Sequence, residues 1–247
     1  MTDAYVSDYH LQNIWFERKI KMLKKVCICL LMGAIALTSA ACVDKGTEKT
    51  SVTQNTAQEK KSEDIYKSIF KNSLFFGDSI TEGLNYQELI DDTNVIADAG
   101  KVTVMAIEED VEKVVGKNPE HIFMSFGIND LLMRMDLEGN PIDNPVKYSI
   151  DTYSKLIQKV KEKLPNVKIH ILSVTPVTDK ALQEFPQYKH IDEYNAKLKE
   201  LAKAEKAEYI DLSPIFDKNT DLHDEDGVHF KANYYTQLLD LLKISIK

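Results

Sequence analysis

Two nearly continuous apolar runs constrain the fold of this chain more than any other feature. They are Ile122–Phe126 and Ile169–Val174, and both have the length of a β-strand. Strands that are apolar on both faces are typical of a parallel sheet covered by helices on both sides. Between the runs lies a stripe of apolar residues with helical spacing: Tyr153, Ile157, Val160 and Leu164. The pattern therefore predicts a β–α–β unit.

The alternation of strands and helices extends from about residue 63 to the C-terminus. The predicted strands are Leu74–Phe76, Asn94–Ala97, His121–Phe126, Lys168–Val174 and Glu208–Leu212. Three further helices are indicated by one stripe of Val104, Ile107, Val111 and Val114, by a second of Tyr194, Leu198 and Leu201, and by the apolar residues of about Lys231–Ile244. Repeated units of this kind form one parallel sheet through right-handed crossovers. We therefore predict an α/β domain over residues 63–247.

The first 62 residues have a different character. Lys24 and Lys25 precede an apolar run, Val26–Leu37, which is followed by small residues and Cys42. This order is typical of a secretory signal, and it predicts that translation starts at Met22. Small residues ending at a cysteine resemble a bacterial lipoprotein signal, with Cys42 lipidated, although Ser39 stands where that pattern favours Leu. We expect residues 1–41 to form a leader that is removed and the polar residues 42–62 a disordered tether, so that lipidated Cys42 anchors the protein outside the cytoplasm. An uncleaved anchor and ordinary signal cleavage are the alternatives.

Composition excludes several classes of function for the predicted domain. All three cysteines, Cys27, Cys29 and Cys42, precede it, which excludes a catalytic cysteine, a disulfide framework and a cysteine zinc site. The formal net charge of −8, without a basic patch, argues against a nucleic-acid partner. The acidic loop from Asp217 begins like a calcium-binding loop, but Leu222 occupies the glycine position and Val228 the closing glutamate position. We expect no metal and no cofactor.

Ser79 is the candidate nucleophile. The stretch Ser73–Gly83 reads as a short apolar strand that ends at Gly77 and turns into a helix. Ligands of open α/β sheets bind outside the carboxyl ends of the strands, and a helix N-terminus there favours a developing negative charge. The alternative is a capping box, in which Ser79 caps the helix and Glu82 reaches back to it.

Four other candidate site residues follow predicted strands at the same edge of the sheet. Gly100 follows the second strand, Asn129 the third, and Asp226 and His229 lie in the loop between the fifth strand and the last helix. A serine hydroxyl needs a general base, and a histidine, which titrates near neutral pH, can be that base. A carboxylate such as Asp226 can orient the imidazole. The backbone N–H groups of Ser79 and Gly100 and the Asn129 amide can stabilise an oxyanion.

These blocks resemble those of the SGNH, or GDSL, hydrolase family: Ser79 in G-D-S, Gly100, Asn129 in G-x-N-D, and Asp226 with His229 in D-x-x-H. The resemblance spans residues 73–245. It implies a flavodoxin-like three-layer α/β/α sandwich with a five-stranded parallel sheet, and metal-independent ester hydrolysis through an acyl-enzyme. It also implies that Asp78 and Asp130 hold loops. One departure is Asp98, which stands where the family often has Asn two residues before the Gly.

The substrate is open at this level. The predicted location favours short-chain or O-acetyl esters of cell-wall or other glycans, and lipid esters, as of a lysophospholipase, come next. The same residues could instead transfer the acyl group to an acceptor other than water. A binding lipoprotein without activity is the remaining alternative, although such a protein has no need of a serine, a histidine and an aspartate in this arrangement.

Overall fold

The computed structural model describes residues 65–217 and 221–246. The predicted signal, Met22, Cys42 and the tether lie outside these residues. The described ranges contain one five-stranded parallel sheet with the strand order β2–β1–β3–β4–β5. This order is that of flavodoxin-like folds, so the predicted fold class is confirmed. The strands are β1 Ser73–Gly77, β2 Val95–Ala97, β3 His121–Ser125, β4 Lys168–Leu172 and β5 Glu208–Ile210.

The helices pack on both faces of this sheet. Residues 65–69, before β1, are also helical. None of the helices within the described ranges has the length and apolar character needed to cross a membrane. The α-helices after β1 are α1 Ser79–Glu82, α2 Thr103–Glu109, α3 Val111–Lys117, α4 Pro145–Lys163, α5 Asp179–Glu184, α6 Ile191–Ala204 and α7 Ala232–Leu242.

Several details of the predicted elements are wrong. Strand β3 ends at Ser125 rather than Phe126, and β5 ends at Ile210 rather than Leu212. The stripe from Val104 to Val114 belongs to two helices, because the backbone leaves the helical conformation at Asp110 (φ −121°, ψ −17°). The Asp110 carboxylate is buried there between the ammonium groups of Lys101 and Lys113. Strand β4 ends at Leu172 rather than Val174, since the Asn195 side chain bonds both the N–H and the C=O of Val174, at 2.8 and 2.9 Å.

The core lies on both sides of the central strands β1 and β3. Because neighbouring residues of a strand point to opposite faces, Phe75 packs on one side, with ring centroids 5.3 Å from both Phe70 and Phe123. Phe76 packs on the other side, 5.0 Å from Phe126, which in turn lies 5.8 Å from Tyr153 of α4. The sheet is therefore the middle layer of three, as predicted.

The register of the sheet brings three loops to one edge. Gly77, the last residue of β1, pairs with Ala97 of β2 and Ser125 of β3, which are the last residues of their own strands. A Cβ atom at Gly77 would lie 2.4 Å from the Ser125 carbonyl oxygen, so only glycine allows the strands to end so close together. The segments that carry Ser79, Gly100 and Asn129 therefore start side by side.

Candidate active site

Ser79 begins helix α1 but does not cap it. The cap is Asp78, whose Oδ1 accepts the Ile80 N–H at 3.0 Å. Glu82 does not reach back to the start of the helix either: its Oε1 accepts the Tyr86 hydroxyl at 3.1 Å. The capping-box alternative is therefore wrong, and the Ser79 hydroxyl is available to other partners.

The Ser79 hydroxyl contacts a histidine 150 residues further along the chain. Its Oγ lies 2.8 Å from Nε2 of His229, and Nδ1 of the same ring lies 2.6 Å from Oδ2 of Asp226. The side chains of His229 and Asp226 are 36% and 34% exposed, which leaves the site open to a substrate. The structure thus brings Ser79, His229 and Asp226 into one line of hydrogen bonds.

The surroundings of Asp226 determine which nitrogen of His229 carries the proton. Although burial opposes ionisation, the hydrogen bonds from the His229 ring and from the N–H groups of Val228 and His229 hold the pKa of Asp226 well below its usual range. An ionised carboxylate can only accept hydrogen bonds, so the proton is assigned to Nδ1. Nε2 is then the acceptor for the Ser79 hydroxyl, as a general base requires.

The loop that carries Asp226 and His229 is held by the first turn of α5 and by Thr178, the residue before it. The Thr178 N–H donates to the Gly227 carbonyl at 3.0 Å, and Lys180 Nζ donates to the Glu225 carbonyl at 2.8 Å. Gly227 has a φ of +75°, and a Cβ atom there would lie 1.9 Å from Thr178 Oγ1. Sequence reasoning missed Thr178, because no local pattern indicates that it packs against a loop almost fifty residues away.

The two further oxyanion candidates, Gly100 and Asn129, lie in adjoining loops. Gly100 has a φ of +77° and lies in a turn closed by a hydrogen bond from the Lys101 N–H to the Asp98 carbonyl, at 3.2 Å. Asn129 Nδ2 donates to the Lys101 carbonyl at 3.2 Å. The loop after β2 and the loop after β3 are thus joined beside Gly100.

Asp78 and Asp130 are buried beneath these loops. Asp130 Oδ1 accepts the N–H and the hydroxyl of Thr103, at 3.0 and 2.6 Å, and the Ser149 hydroxyl at 2.9 Å. Burial raises the pKa of Asp130, against those hydrogen bonds. Burial also raises the pKa of Asp78 to about 7, with a further contribution from the charge of Asp130. Both carboxyl groups hold loops in place rather than face the substrate.

The raised pKa of Asp78 predicts a pH-dependent stability. An unfolded aspartate loses its proton near pH 4, whereas folded Asp78 keeps its proton up to about pH 7. The free energy of unfolding therefore falls as the pH rises through this interval. Asp78→Asn keeps a good cap and removes the ionisable group, so the gain in unfolding free energy over wild type should be about 2–3 kcal/mol larger at pH 8 than at pH 5.

Denaturant unfolding at the two pH values measures this difference. The matched control is Asp143→Asn, because Asp143 is exposed, and its effect should be the same at both pH values. If Asp78→Asn shifts the unfolding free energy equally at pH 5 and pH 8, folded Asp78 is ionised throughout this range and the explanation is wrong.

The two buried histidines, His121 and His170, lie away from this edge of the sheet. His121 Nδ1 is 2.8 Å from His170 Nε2, and His170 Nδ1 is 2.6 Å from Glu208 Oε2. Burial lowers the pKa of both histidines. Within the described ranges, no group of three or more His, Cys, Asp or Glu side chains is arranged to hold a metal ion.

The nucleophile candidate is a serine at the turn between a strand and a helix of a flavodoxin-like sheet. It is hydrogen-bonded to a histidine, and this histidine to an aspartate, of a C-terminal loop. This arrangement defines an α/β serine hydrolase. Residues 75–236 match the GDSL-like Lipase/Acylhydrolase family, and the chain belongs to that family. It is therefore a hydrolase of ester bonds. No curated protein sequence matches the chain significantly.

Solved structures with the same fold come from several bacteria. A candidate platelet activating factor of Streptococcus pneumoniae is 22% identical, with a TM-score of 0.56 over 79% of this chain and 97% of that chain. A GDSL-like lipase of Bacteroides thetaiotaomicron is 18% identical, with a TM-score of 0.55 over 78% and 96%. A catalytic mutant of Axe2, an acetylxylan esterase of Geobacillus stearothermophilus, is 21% identical, with a TM-score of 0.51 over 71% and 94%.

Proposed function

We propose that the protein is a serine esterase that cleaves short-chain or O-acetyl esters of glycans through an acyl-enzyme on Ser79. The observation that carries the proposal is the line of hydrogen bonds from Ser79 Oγ to His229, at 2.8 Å, and from His229 to Asp226, at 2.6 Å. A binding protein needs no such alignment, whereas nucleophilic catalysis does.

The first half of the reaction forms the acyl-enzyme. Ser79 Oγ attacks the ester carbonyl carbon while His229 Nε2 takes the hydroxyl proton. Asp226 remains ionised and stabilises the imidazolium. The N–H groups of Ser79 and Gly100 and the Asn129 amide donate to the oxyanion. The tetrahedral intermediate then expels the alcohol, which receives the proton from His229.

The second half of the reaction releases the acid. Water enters where the alcohol has left, and His229 takes one of its protons as the oxygen attacks the acyl carbon. The second tetrahedral intermediate collapses, the bond to Ser79 Oγ breaks, and the proton returns from His229 to the serine. The products are a carboxylic acid and the free enzyme, without a metal or cofactor in any step.

Two observations support a short acyl group on a glycan. The acetylxylan esterase of Geobacillus stearothermophilus shares the fold, and the signal-like residues before Cys42 would deliver the enzyme to a surface rich in glycans. We expect kcat/KM for p-nitrophenyl acetate to exceed that for p-nitrophenyl decanoate by about tenfold or more, which corresponds to a difference of at least ~1.4 kcal/mol in activation free energy.

Acetate release from acetylated xylan and from O-acetylated peptidoglycan then identifies the natural class of substrate, with Ser79→Ala as the background. Faster turnover of the decanoyl ester would contradict the short-chain proposal and favour a lipid esterase. Acetate that appears on an added sugar acceptor rather than in solution would show acyl transfer instead of hydrolysis.

We further propose that the protein acts outside the cytoplasm as a membrane-anchored lipoprotein. The proposal rests on the basic, apolar and small residues that precede Cys42. In a bacterial host fed with labelled palmitate, the wild-type protein should take up the label and sediment with membranes. Cys42→Ser should do neither, with Cys29→Ser as the matched control. Equal labelling of both variants, or no labelling of the wild type, would contradict lipidation at Cys42.

A further inference from the structure

Lys101 is a buried cation directly after Gly100, and the catalytic line of hydrogen bonds does not include it. Its side chain is only 4% exposed, and its Nζ lies 2.6 Å from Glu109, 3.0 Å from Asp98 and 3.0 Å from Asp110. Burial alone would lower the pKa of this ammonium group, but the three carboxylates outweigh burial and raise it. A buried charge is tolerated only with such partners, so the arrangement holds Lys101 in one place.

The backbone of the same residue binds both oxyanion loops. The Lys101 N–H closes the turn around Gly100 onto Asp98, and the Lys101 carbonyl accepts the Asn129 amide at 3.2 Å. The Lys101 side chain therefore connects the turn after β2 to the junction of α2 and α3, while the Lys101 main chain orients the loop after β3. Asp98, which departs from the family pattern, takes part in this arrangement through its carboxylate.

We propose that Lys101 is a positioning residue for the oxyanion hole, fixing the Gly100 N–H and the Asn129 amide where the oxyanion develops. This inference rests on the proposed function, because it presumes an oxyanion at Ser79. Donors of this kind act in the transition state and contribute only when they are already oriented. Lys101 itself does not touch the substrate.

Lys101→Met keeps the length of the side chain and removes its charge. We expect kcat for p-nitrophenyl acetate to fall about 10²-fold, as for the loss of one oxyanion donor, with KM within about threefold of wild type. The thionoester of the same substrate develops charge on sulfur, which is larger and a weaker acceptor. Wild type should therefore prefer the oxygen ester, because its donors bind an oxyanion better than a thiolate. The ratio of the rate with the oxygen ester to the rate with the thionoester should be about tenfold smaller in Lys101→Met, since this ratio depends on the same donors.

Lys113→Met is the matched control. Lys113 also contacts Asp110, at 2.6 Å, but its side chain is 60% exposed and has no bond to the loop after β2. It should keep kcat and the ester preference within about twofold, because Lys101 still neutralises the buried Asp110 carboxylate after the substitution. Thermal unfolding reports whether each variant is folded.

A second variant covers the case in which Lys101→Met does not fold. Asp98→Ala with Glu109→Ala removes two partners whose side chains are 64% and 50% exposed, while Asp110 still neutralises the ammonium. The double variant should lower kcat and the oxygen-ester preference about three- to tenfold, because the turn around Gly100 loosens.

The outcomes separate this inference from the proposed function. If wild type has no esterase activity, the proposed function itself fails. If wild type is active and folded Lys101→Met keeps kcat and the ester preference, the inference about Lys101 is overturned alone. A fall in kcat with an unchanged preference for the oxygen ester also overturns it, since Lys101 would then support the fold without positioning the donors.

Discussion

Ser79→Ala should lower kcat for p-nitrophenyl acetate by about 10⁴-fold or more, to the level that binding and oxyanion donors supply without a nucleophile. The Ser79 hydroxyl caps no helix, because Asp78 is the cap of α1. Its partner is Nε2 of His229, at 2.8 Å. The substitution therefore removes the attacking atom and little else, and the melting temperature should change by no more than a few degrees.

Ser154→Ala is the matched control for this variant. The Ser154 hydroxyl also makes a side-chain hydrogen bond, but it donates to Glu205, at 2.7 Å, rather than to a histidine, and it lies on α4. This control should retain full activity. If Ser79→Ala keeps more than about a tenth of the wild-type kcat, well above the residual rate expected without a nucleophile, Ser79 does not form the acyl-enzyme.

Asp226→Asn should lower kcat about 10⁴-fold while the protein stays folded. The Asp226 carboxylate accepts the Nδ1 proton of His229 at 2.6 Å. An asparagine can place its NH₂ group there, which favours the tautomer with the proton on Nε2. That tautomer cannot accept the Ser79 proton, so the base is lost although the ring stays in place.

Asp224→Asn tests whether the effect belongs to Asp226 alone. Asp224 lies two residues earlier in the same loop, where its Oδ1 accepts the Glu225 N–H at 2.8 Å. Its main-chain bonds to His229 and Gly227 are available to asparagine as well. The variant should keep kcat within about threefold, since Asp224 provides neither tautomer control nor charge to the imidazole. Comparable losses in the two variants would indicate that the loop conformation, and not the Asp226–His229 bond, supports activity.

Much of the fold could be predicted from local patterns. The apolar runs of β3 and β4 and the spaced apolar residues of α4 and α6 determine where strands and helices form, and parallel strands with short helical connections leave few arrangements. The break at Asp110 could not be predicted, because the stripe of apolar residues continues through it. At the break the Asp110 carboxylate is buried against Lys101, a contact that no periodicity shows.

The candidate site divides in the same way. The types of residue at the strand ends indicate acyl transfer, and the parallel sheet explains how Ser79 meets a histidine 150 residues away. The supports of the site were not predictable. Thr178 against Gly227 and the Lys101 carbonyl that accepts the Asn129 amide are contacts between loops that follow different strands, and neither has a spacing that a single sequence reveals.

The most direct test of the account is active-site labelling with a fluorophosphonate, followed by peptide mass spectrometry. This probe reacts only with a serine that a neighbouring base activates. The wild-type domain should carry one label, on the peptide that contains Ser79, while Asp226→Asn labels far more slowly and Ser79→Ala does not label. Labelling of another serine, or a folded wild-type protein that takes up no label, would contradict the claim that Ser79, His229 and Asp226 form a working nucleophile.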